Sequence, residues 1–389
     1  MNVKKLVEGF KLDPQAAADG LRQGLAQKHI RTDEYNATEL FIECFGYEEF
    51  RHYKANEQYT TAQVLKEAGP IMTTSFQNIS QQFLAATFME AYSIPERVFM
   101  GLIPTRKTNR KYERIAGITH VGDEVDIVEE GKSYPLVGNG EDWVDTPEVR
   151  KRGMIAQITK ETITFDETGL VVDRVKYLGD WLGINQEKRA IDCVIDGNTT
   201  AHRYVWQGTT YGSYVSTPWD NTVASNALAD ETDLDNAYLQ LSAIEDPVTG
   251  EPQDVTVRHM VVPMGLYNKA LYALSPQIRA TIPGFATSAD PKQMTINNPV
   301  LAKIGGAPQV ITSQLLNKRL TAASVPTTTW YLGDIAAYAE WQEVWPTTFA
   351  QFGAMGQLEF QQDIVAQFKA SQMGAYRVKN PRKMVENRA

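Results

Sequence analysis

Three stretches carry the strongest periodicity in the chain. From Thr73 to Tyr92, Phe76, Ile79, Phe83, Leu84, Phe88 and Tyr92 recur every three or four residues, the spacing of one helix face. This aromatic stripe serves either as core or as a face that docks on a neighbouring subunit. From Leu170 to Ile195, Val171, Val175, Leu178, Leu182, Ala190, Ile191 and Val194 predict the longest helix, and Asp196-Gly197 supplies its stop. Gly179 and Gly183 would weaken that helix by about 1 kcal/mol each unless something packs closely against them. Near the C-terminus, Leu358, Phe360, Ile364, Ala366, Phe368 and Ala370 alternate with Glu359, Gln361, Asp363, Gln367 and Lys369, which predicts a half-buried strand. It is long against the usual ~5–6 residues, as suits an elongated molecule.

Shorter signals fill the intervals. Asp13-Pro14 predicts a helix start, and Leu40, Phe41, Cys44 and Phe45 share a helical face. Residues 97–120 read as basic and strand-like, and GMIAQITKETITFD from Gly153 reads as a returning strand. Between them lies HVGDEVDIVEEGKSYPLVGNGEDW, His120 to Trp143, too polar for a core. The layout of strand, polar excursion and returning strand predicts an extended β-hairpin. A hairpin at 204–217, a helix over Asp230–Ala243, and strands and a helix drawn from VTVRHMVVP, GLYNKALYALSPQI, APQVITS and TTWYLGD complete a mixed α/β region over 245–345.

The excursion is unevenly charged. Nine acids lie between Asp123 and Glu148, with Lys132 the one base among them. Arg106, Lys107, Arg110, Lys111 and Arg114 precede it, and Arg150, Lys151 and Arg152 follow. Tip and stem are separated along the arm, so the expectation is that the arm cannot neutralise itself but could neutralise a second copy set tip on stem. Screening over ~8–10 Å requires that pairing to be close. A plain solvated charge cluster is the competing reading.

Composition narrows the classes. The 389 residues are 43% hydrophobic with a net charge of −9, enough for two or three cores and unlike a protein that grips nucleic acid through its phosphates. Cys44 and Cys193 are too few and too far apart for a disulfide framework or a CxxC metal site. No apolar run reaches the ~20 residues of a membrane helix, and the N-terminus lacks a signal-peptide core, so no membrane partner is expected.

Motifs for chemistry are missing. There is no phosphate loop, GNGEDW lacks the third glycine of a dinucleotide fingerprint, and YGSY has the wrong flanks for a nucleophile elbow. The histidines at 29, 52, 120, 202 and 259 are scattered, and His259 in an apolar strand reads as a satisfied core histidine. Asp123, Asp126, Glu129 and Glu130 lack calcium-loop spacing, and Glu161 and Asp166, five apart on a strand, point to opposite faces. No catalytic, cofactor or metal site is expected.

The order of parts carries a resemblance. SFQNISQQFLAATFMEAY with IPERVF, EEGKSYPLVG with VRKRGMIAQITKETITFDETG, LVVDRVKYLGDWLGINQEKRAIDCVIDG, and FQQDIVAQFKASQMGAYRVKNPRKMV occur in the order seen in tailed-phage major capsid proteins of the Hong Kong 97-type (Johnson) fold, which the chain resembles over about 70–389. The resemblance implies an α+β fold. Its parts would be an N-terminal helical extension (1–70), an arm helix (71–96), an extended β-hairpin or E-loop (97–169), a peripheral domain with spine helix and terminal strand (170–244 and 346–389), and an axial domain (245–345).

By the same resemblance the protein would be a non-enzymatic shell subunit without cofactors. Its partners would be its own copies in hexamers and pentamers, a portal, scaffolding or decoration proteins, and packaged double-stranded DNA held without specific binding. It would assemble in a host cytoplasm and end in the virion. Glu129, Glu130, Glu141 and Asp142 would meet bases of an adjacent subunit, first Arg150, Lys151 and Arg152, while Lys188 and Arg189 would pair across the shell. Lys132 sits near the tip, where some members of the family carry a crosslinking lysine, but a crosslink is not expected. An encapsulin-type compartment shell and an unrelated hydrolase built on 245–345 are the rival readings.

Overall fold

In the computed structural model the described residues are 3–31, 40, 43, 70–94, 97–117, 127–132, 142–159, 170–197, 204–248, 250, 252–275, 277–278, 295–296, 299–353 and 364–389. They form two compact units. The first takes residues 1–95, 151–185 and 345–373, and the second 96–150, 186–344 and 374–389.

The first unit begins with helices α1 (Val3–Leu12), α2 (Pro14–Ala26) and α3 (Pro70–Tyr92). Asp13 starts α2 as the motif predicts, its carboxylate accepting the Gln15 and Ala16 amides at 3.0 and 3.1 Å. Val7, Phe10, Leu21, Leu40, Ile79 and Phe83 make one small core. The aromatic stripe of α3 is therefore core within its own chain: Ile79, Phe83, Leu84, Phe88 and Tyr92 are all buried. The Phe88 ring stacks on Phe349 at 5.2 Å, and Phe349 on Phe368 at 5.8 Å.

Helix α5 (Leu170–Val194) follows the predicted span, and α4 (Val98–Leu102) precedes it. Residues 97–102 were expected to be strand. They are helical because Glu187 Oε1 and Oε2 accept the Phe99 and Met100 amides at 3.0 and 2.9 Å, capping α4 from a distant part of the chain. Burial pushes the Glu187 carboxyl above its usual range, against the pull of those two amides and of Arg97.

Among the described residues fifteen strands follow in chain order. They are β1 (Thr105–Lys107), β2 (Arg114–Ala116), β3 (Trp143–Asp145), β4 (Arg150–Thr159), β5 (Tyr204–Trp206), β6 (Thr209–Tyr211), β7 (Thr222–Val223), β8 (His259–Val261), β9 (Gln277–Ile278), β10 (Thr295–Ile296), β11 (Gln309–Ile311), β12 (Trp330–Gly333), β13 (Ala339–Gly353), β14 (Ile364–Val378) and β15 (Met384–Asn387). The terminal strand β14 runs past the predicted end at Ala370, while Leu358–Asp363 lie outside the described residues. It sits in a sheet ordered β1-β13-β14-β4. β13, as long as β14, has no clear sequence signature: Pro346 interrupts it and its polar residues fall on both faces. Gly153 of β4 lies so close to β14 that a Cβ there would stand 2.5 Å from the Ala370 carbonyl oxygen.

The second unit is built on the sheet β11-β8-β12-β15-β7. β8 and β12 send alternate side chains to two layers. Met260, Trp330 and Leu332 meet Leu234 and Ala237 of α6 (Glu231–Ser242), Ala270 and Ala273 of α7 (Tyr267–Leu274) and Val300 of α8 (Pro299–Ile304). Val261, Ile311, Tyr331 and Val385 join the other core, with Ile191 and Val194 and with Leu316 and Leu320 of α9 (Gln314–Ala322). Cover on both faces explains why MVVP reads as a continuous apolar run. The short helix α10 (Ile335–Tyr338) leads from β12 into β13. Overall the fold is α+β, as expected.

Candidate assembly interface

The charged arm is built on a second small sheet, ordered β2-β3-β5-β6. Arg114 pairs with Asp145, Ile115 with Val144 and Ala116 with Trp143 in antiparallel register. The strand that returns from the excursion is therefore β3, three residues long, rather than the stretch from Gly153. β4 spends its hydrogen bonds beside β14 instead, in the sheet whose other strands supply a long partner for its own period-two pattern.

Aromatic packing fixes β3 to the unit. Trp206 and Tyr211 lie against Trp219 at 6.2 and 5.3 Å, and Tyr204 meets Trp219 edge-on at 5.3 Å. Trp206 Nε1 donates to Asp142 Oδ1, and the Gly117 amide donates to the Asp142 carbonyl at 3.0 Å. The Arg114 guanidinium stands 4.9 Å from the centre of the Trp143 ring. The aromatic block was legible only as the residues of a short hairpin, because its partner Asp142 lies 64 residues away from Trp206 in sequence.

The charges of the stem correct one sequence expectation. The arm does neutralise part of itself: Lys111 meets Glu148 at 2.5 Å, Arg114 meets Asp145 at 3.0 Å and Arg106 meets Glu113 at 3.5 Å. For the first two pairs the reason is the register, which sets the bases of the outgoing strand beside Asp145 of β3 and Glu148 just after it. Lys111, hydrogen-bonded to it, holds the Glu148 carboxyl below its ordinary range, with Arg150 adding to the effect at 4.0 Å. That contribution is present above the ordinary carboxylate pKa and is lost as pH falls through the lowered value. The Lys111–Glu148 pair is exposed on both sides and is worth little.

The predicted contact residues fall into three groups. Glu129 pairs with Lys132 at 2.6 Å in a turn around Gly131, and Asp142 is engaged with Trp206. Arg189 stands 5.6 Å over the Trp341 ring, and Lys188 is half-buried beside it on α5. Glu130, Lys151 and Arg152 are exposed and make no ion pair among the described residues, as is true of Lys107 and Arg110. Glu141, most of the tip, and Glu161 and Asp166 lie outside the described residues.

No group of three or more metal-binding side chains occurs among the described residues, and no helix of theirs is long and apolar enough to cross a membrane. His259 is a satisfied core residue, its Nδ1 accepting the Ile335 amide at 3.2 Å. A cavity of about 480 Å³ is lined by Trp219, Ile244 and Val248 together with Asp220, Glu245 and Asp246.

Comparison with solved structures finds capsids at low identity. A capsid chain of the cyanophage P-SCSP1u is 13% identical with a TM-score of 0.45, covering 74% of this chain and 86% of its own. A chain of a virus-like particle from Pyrococcus furiosus is 12% identical with a TM-score of 0.42, covering 78% and 97%. One from Gordonia phage Cozz is 11% identical with a TM-score of 0.44, covering 75% and 86%. No curated protein matches. The model of a family described as phage capsid protein matches residues 143–387, from the first residue of β3 to the last of β15. The chain belongs to the phage capsid protein family.

Proposed function

We propose that the chain is the major capsid protein of a tailed phage, with the Hong Kong 97-type arrangement of extended loop, spine helix, peripheral domain and axial domain. Its copies form hexamers and pentamers that close into an icosahedral shell around packaged double-stranded DNA. It assembles in the host cytoplasm, with a portal and with scaffolding or decoration proteins as further partners. The observation that carries this reading is the family match, which takes in the spine helix, the five-stranded sheet and both long strands. The net charge of −9 supports it, since an acidic wall would leave a packaged polyanion mobile.

Contacts between copies draw first on the charges that the chain leaves over. The stem's own pairs take up Lys111, Arg114, Asp145 and Glu148, which leaves Lys107, Arg110, Lys151 and Arg152 on the basic side and Glu130 on the acidic side. In this reading Glu130, with the tip acids Glu129, Glu141 and Asp142, meets Arg150, Lys151 and Arg152 of the next subunit. Lys188, Arg189 and Lys132 hold lesser places in it. Heterologous contacts of this kind build rings and closed shells.

The test is sedimentation of the purified full-length protein. Wild type is expected in a fast-sedimenting, particle-sized fraction. The Lys151→Glu/Arg152→Glu double variant, altered at exposed positions, is expected to fold but to remain small. Adding Glu130→Lys should restore part of the large fraction. A double variant that assembles like wild type would remove the charge contact, and a wild type that stays small under all salt conditions would remove the shell reading.

A further inference from the structure

The corner where β8, β12 and α10 meet holds a buried histidine in a geometry that tolerates one charge state. His259 lies in the middle of the sheet, opposite Gln309 of β11 and Gly333 of β12. Its side chain is 10% exposed, and Nδ1 accepts the Ile335 amide at 3.2 Å. An imidazole that accepts at Nδ1 carries no proton there. The Asp334 carboxylate is 3.7 Å away, but its Oδ1 is already used by the Ala336 amide at 3.0 Å, which caps α10. Its Oδ2 faces Arg258 Nε at 3.5 Å.

The backbone gives this corner little room to adjust. Gly333 has φ +151°, and a Cβ there would overlap the Lys383 carbonyl oxygen, which itself accepts the Asp334 amide at 3.0 Å. Arg258 donates its amide to the Gly333 carbonyl at 3.1 Å and accepts from Gln309 at 2.8 Å. The charged groups facing His259 are Asp334, after β12, and Arg258, before β8. The β11 and β12 neighbours, Gln309 and Gly333, are neutral, and Lys383 interacts with Asp254 and Asp334 rather than with the imidazole.

We infer that protonation of His259 is an acid-sensitive release of α10, the turn that feeds β13. A proton on Nδ1 sets two donors against each other, imidazolium and Ile335 amide. Among the described residues the carboxylate facing the imidazolium is Asp334, whose Oδ1 would then be shared between it and the Ala336 amide, which weakens the cap on α10. Ile335 and Tyr338 are fully buried, and Tyr338 OH donates to the Cys193 carbonyl at 3.2 Å, so loosening α10 also frees a tie to the spine helix end within the same unit. The direction of titration agrees: burial pushes the imidazole below its ordinary value, and Asp334 only partly offsets that. With the folded value lowered, the stabilisation is present above the ordinary histidine pKa of about 6.5 and is lost as pH falls through the folded value.

The test is amide hydrogen exchange of the full-length protein at pH 7.5 and pH 5.0, corrected for the intrinsic pH dependence of exchange. Protection across 335–338 is expected to drop about tenfold at pH 5.0 in wild type. It should change less than twofold in His259→Asn, whose Oδ1 keeps an acceptor near the Nδ1 position without titrating. Equal pH dependence in wild type and His259→Asn overturns the inference. If the variant does not fold, the wild type decides alone: unchanged protection of 335–338 between the two pH values overturns it as well. The outcome is independent of whether the chain assembles.

Discussion

Asp246→Ala is expected to be the most damaging single change to the second unit, at about 3–5 kcal/mol. Asp246 Oδ2 faces Arg382 Nη1 at 3.2 Å, and the two side chains are 0% and 2% exposed. The alanine variant keeps the guanidinium buried but takes away the carboxylate that balances it. What remains near the guanidinium includes Asn380 Oδ1, 3.4 Å from Nε, a neutral acceptor that cannot replace a full charge. Asp246 Oδ1 also accepts the Val248 amide at 3.0 Å, so the turn that follows loosens too. Against a typical total of ~5–15 kcal/mol this is a large share. The check is urea denaturation of the unassembled chain. Alanine should lower the midpoint strongly, and Asp246→Asn, which keeps an acceptor for Val248, by less than half as much.

Gly179→Leu is expected to cost the first unit about 3 kcal/mol, at the upper end of overpacking effects. On propensity alone a larger residue in mid-helix would help by up to about 1 kcal/mol. Here a Cβ would overlap the Phe88 carbonyl oxygen of α3 and stand 3.2 Å from the Ala91 methyl. A backbone oxygen cannot rotate away as a side chain can, so the two helices must separate. Gly20 of α2 is the internal control, since nothing lies within 4 Å of its missing methyl. Gly20→Ala should be neutral or slightly stabilising. Thermal unfolding of both variants reads the contrast, and equal midpoints for Gly179→Leu and wild type would contradict the close approach of α3 and α5.

The helices were legible because each carries its own code. The stripe from Ile79 to Tyr92, the Asp13-Pro14 start and the spine pattern ending at Asp196-Gly197 all depend on neighbours within a few residues. The strain noted at Gly179 pointed to a close neighbour, and that neighbour is Phe88. Elements decided at long range were not legible. Residues 98–102 are helical because Glu187 caps them from across the chain, and β13 is hidden by Pro346 and by buried polar residues such as Glu340 and Gln342. Glu340 is buried because Arg377 reaches it at 2.6 Å from β14, a pairing that no local pattern announces.

The arm shows the same limit. Its charge asymmetry was plain in the sequence, but which charges are taken up within the chain depends on the register of β2 on β3. Once Lys111, Arg114, Asp145 and Glu148 are paired there, the candidates for contact between copies narrow to exposed residues such as Glu130, Lys151 and Arg152. A one-residue slip of β2 would have moved Arg114 off Asp145.

The most direct measurement of the central claim is electron microscopy of the purified full-length protein over a range of salt and protein concentrations. The account predicts closed shells, with tubes or six- and five-membered rings as incomplete products. A field of separate single chains under every condition, with the protein folded by circular dichroism, would contradict it.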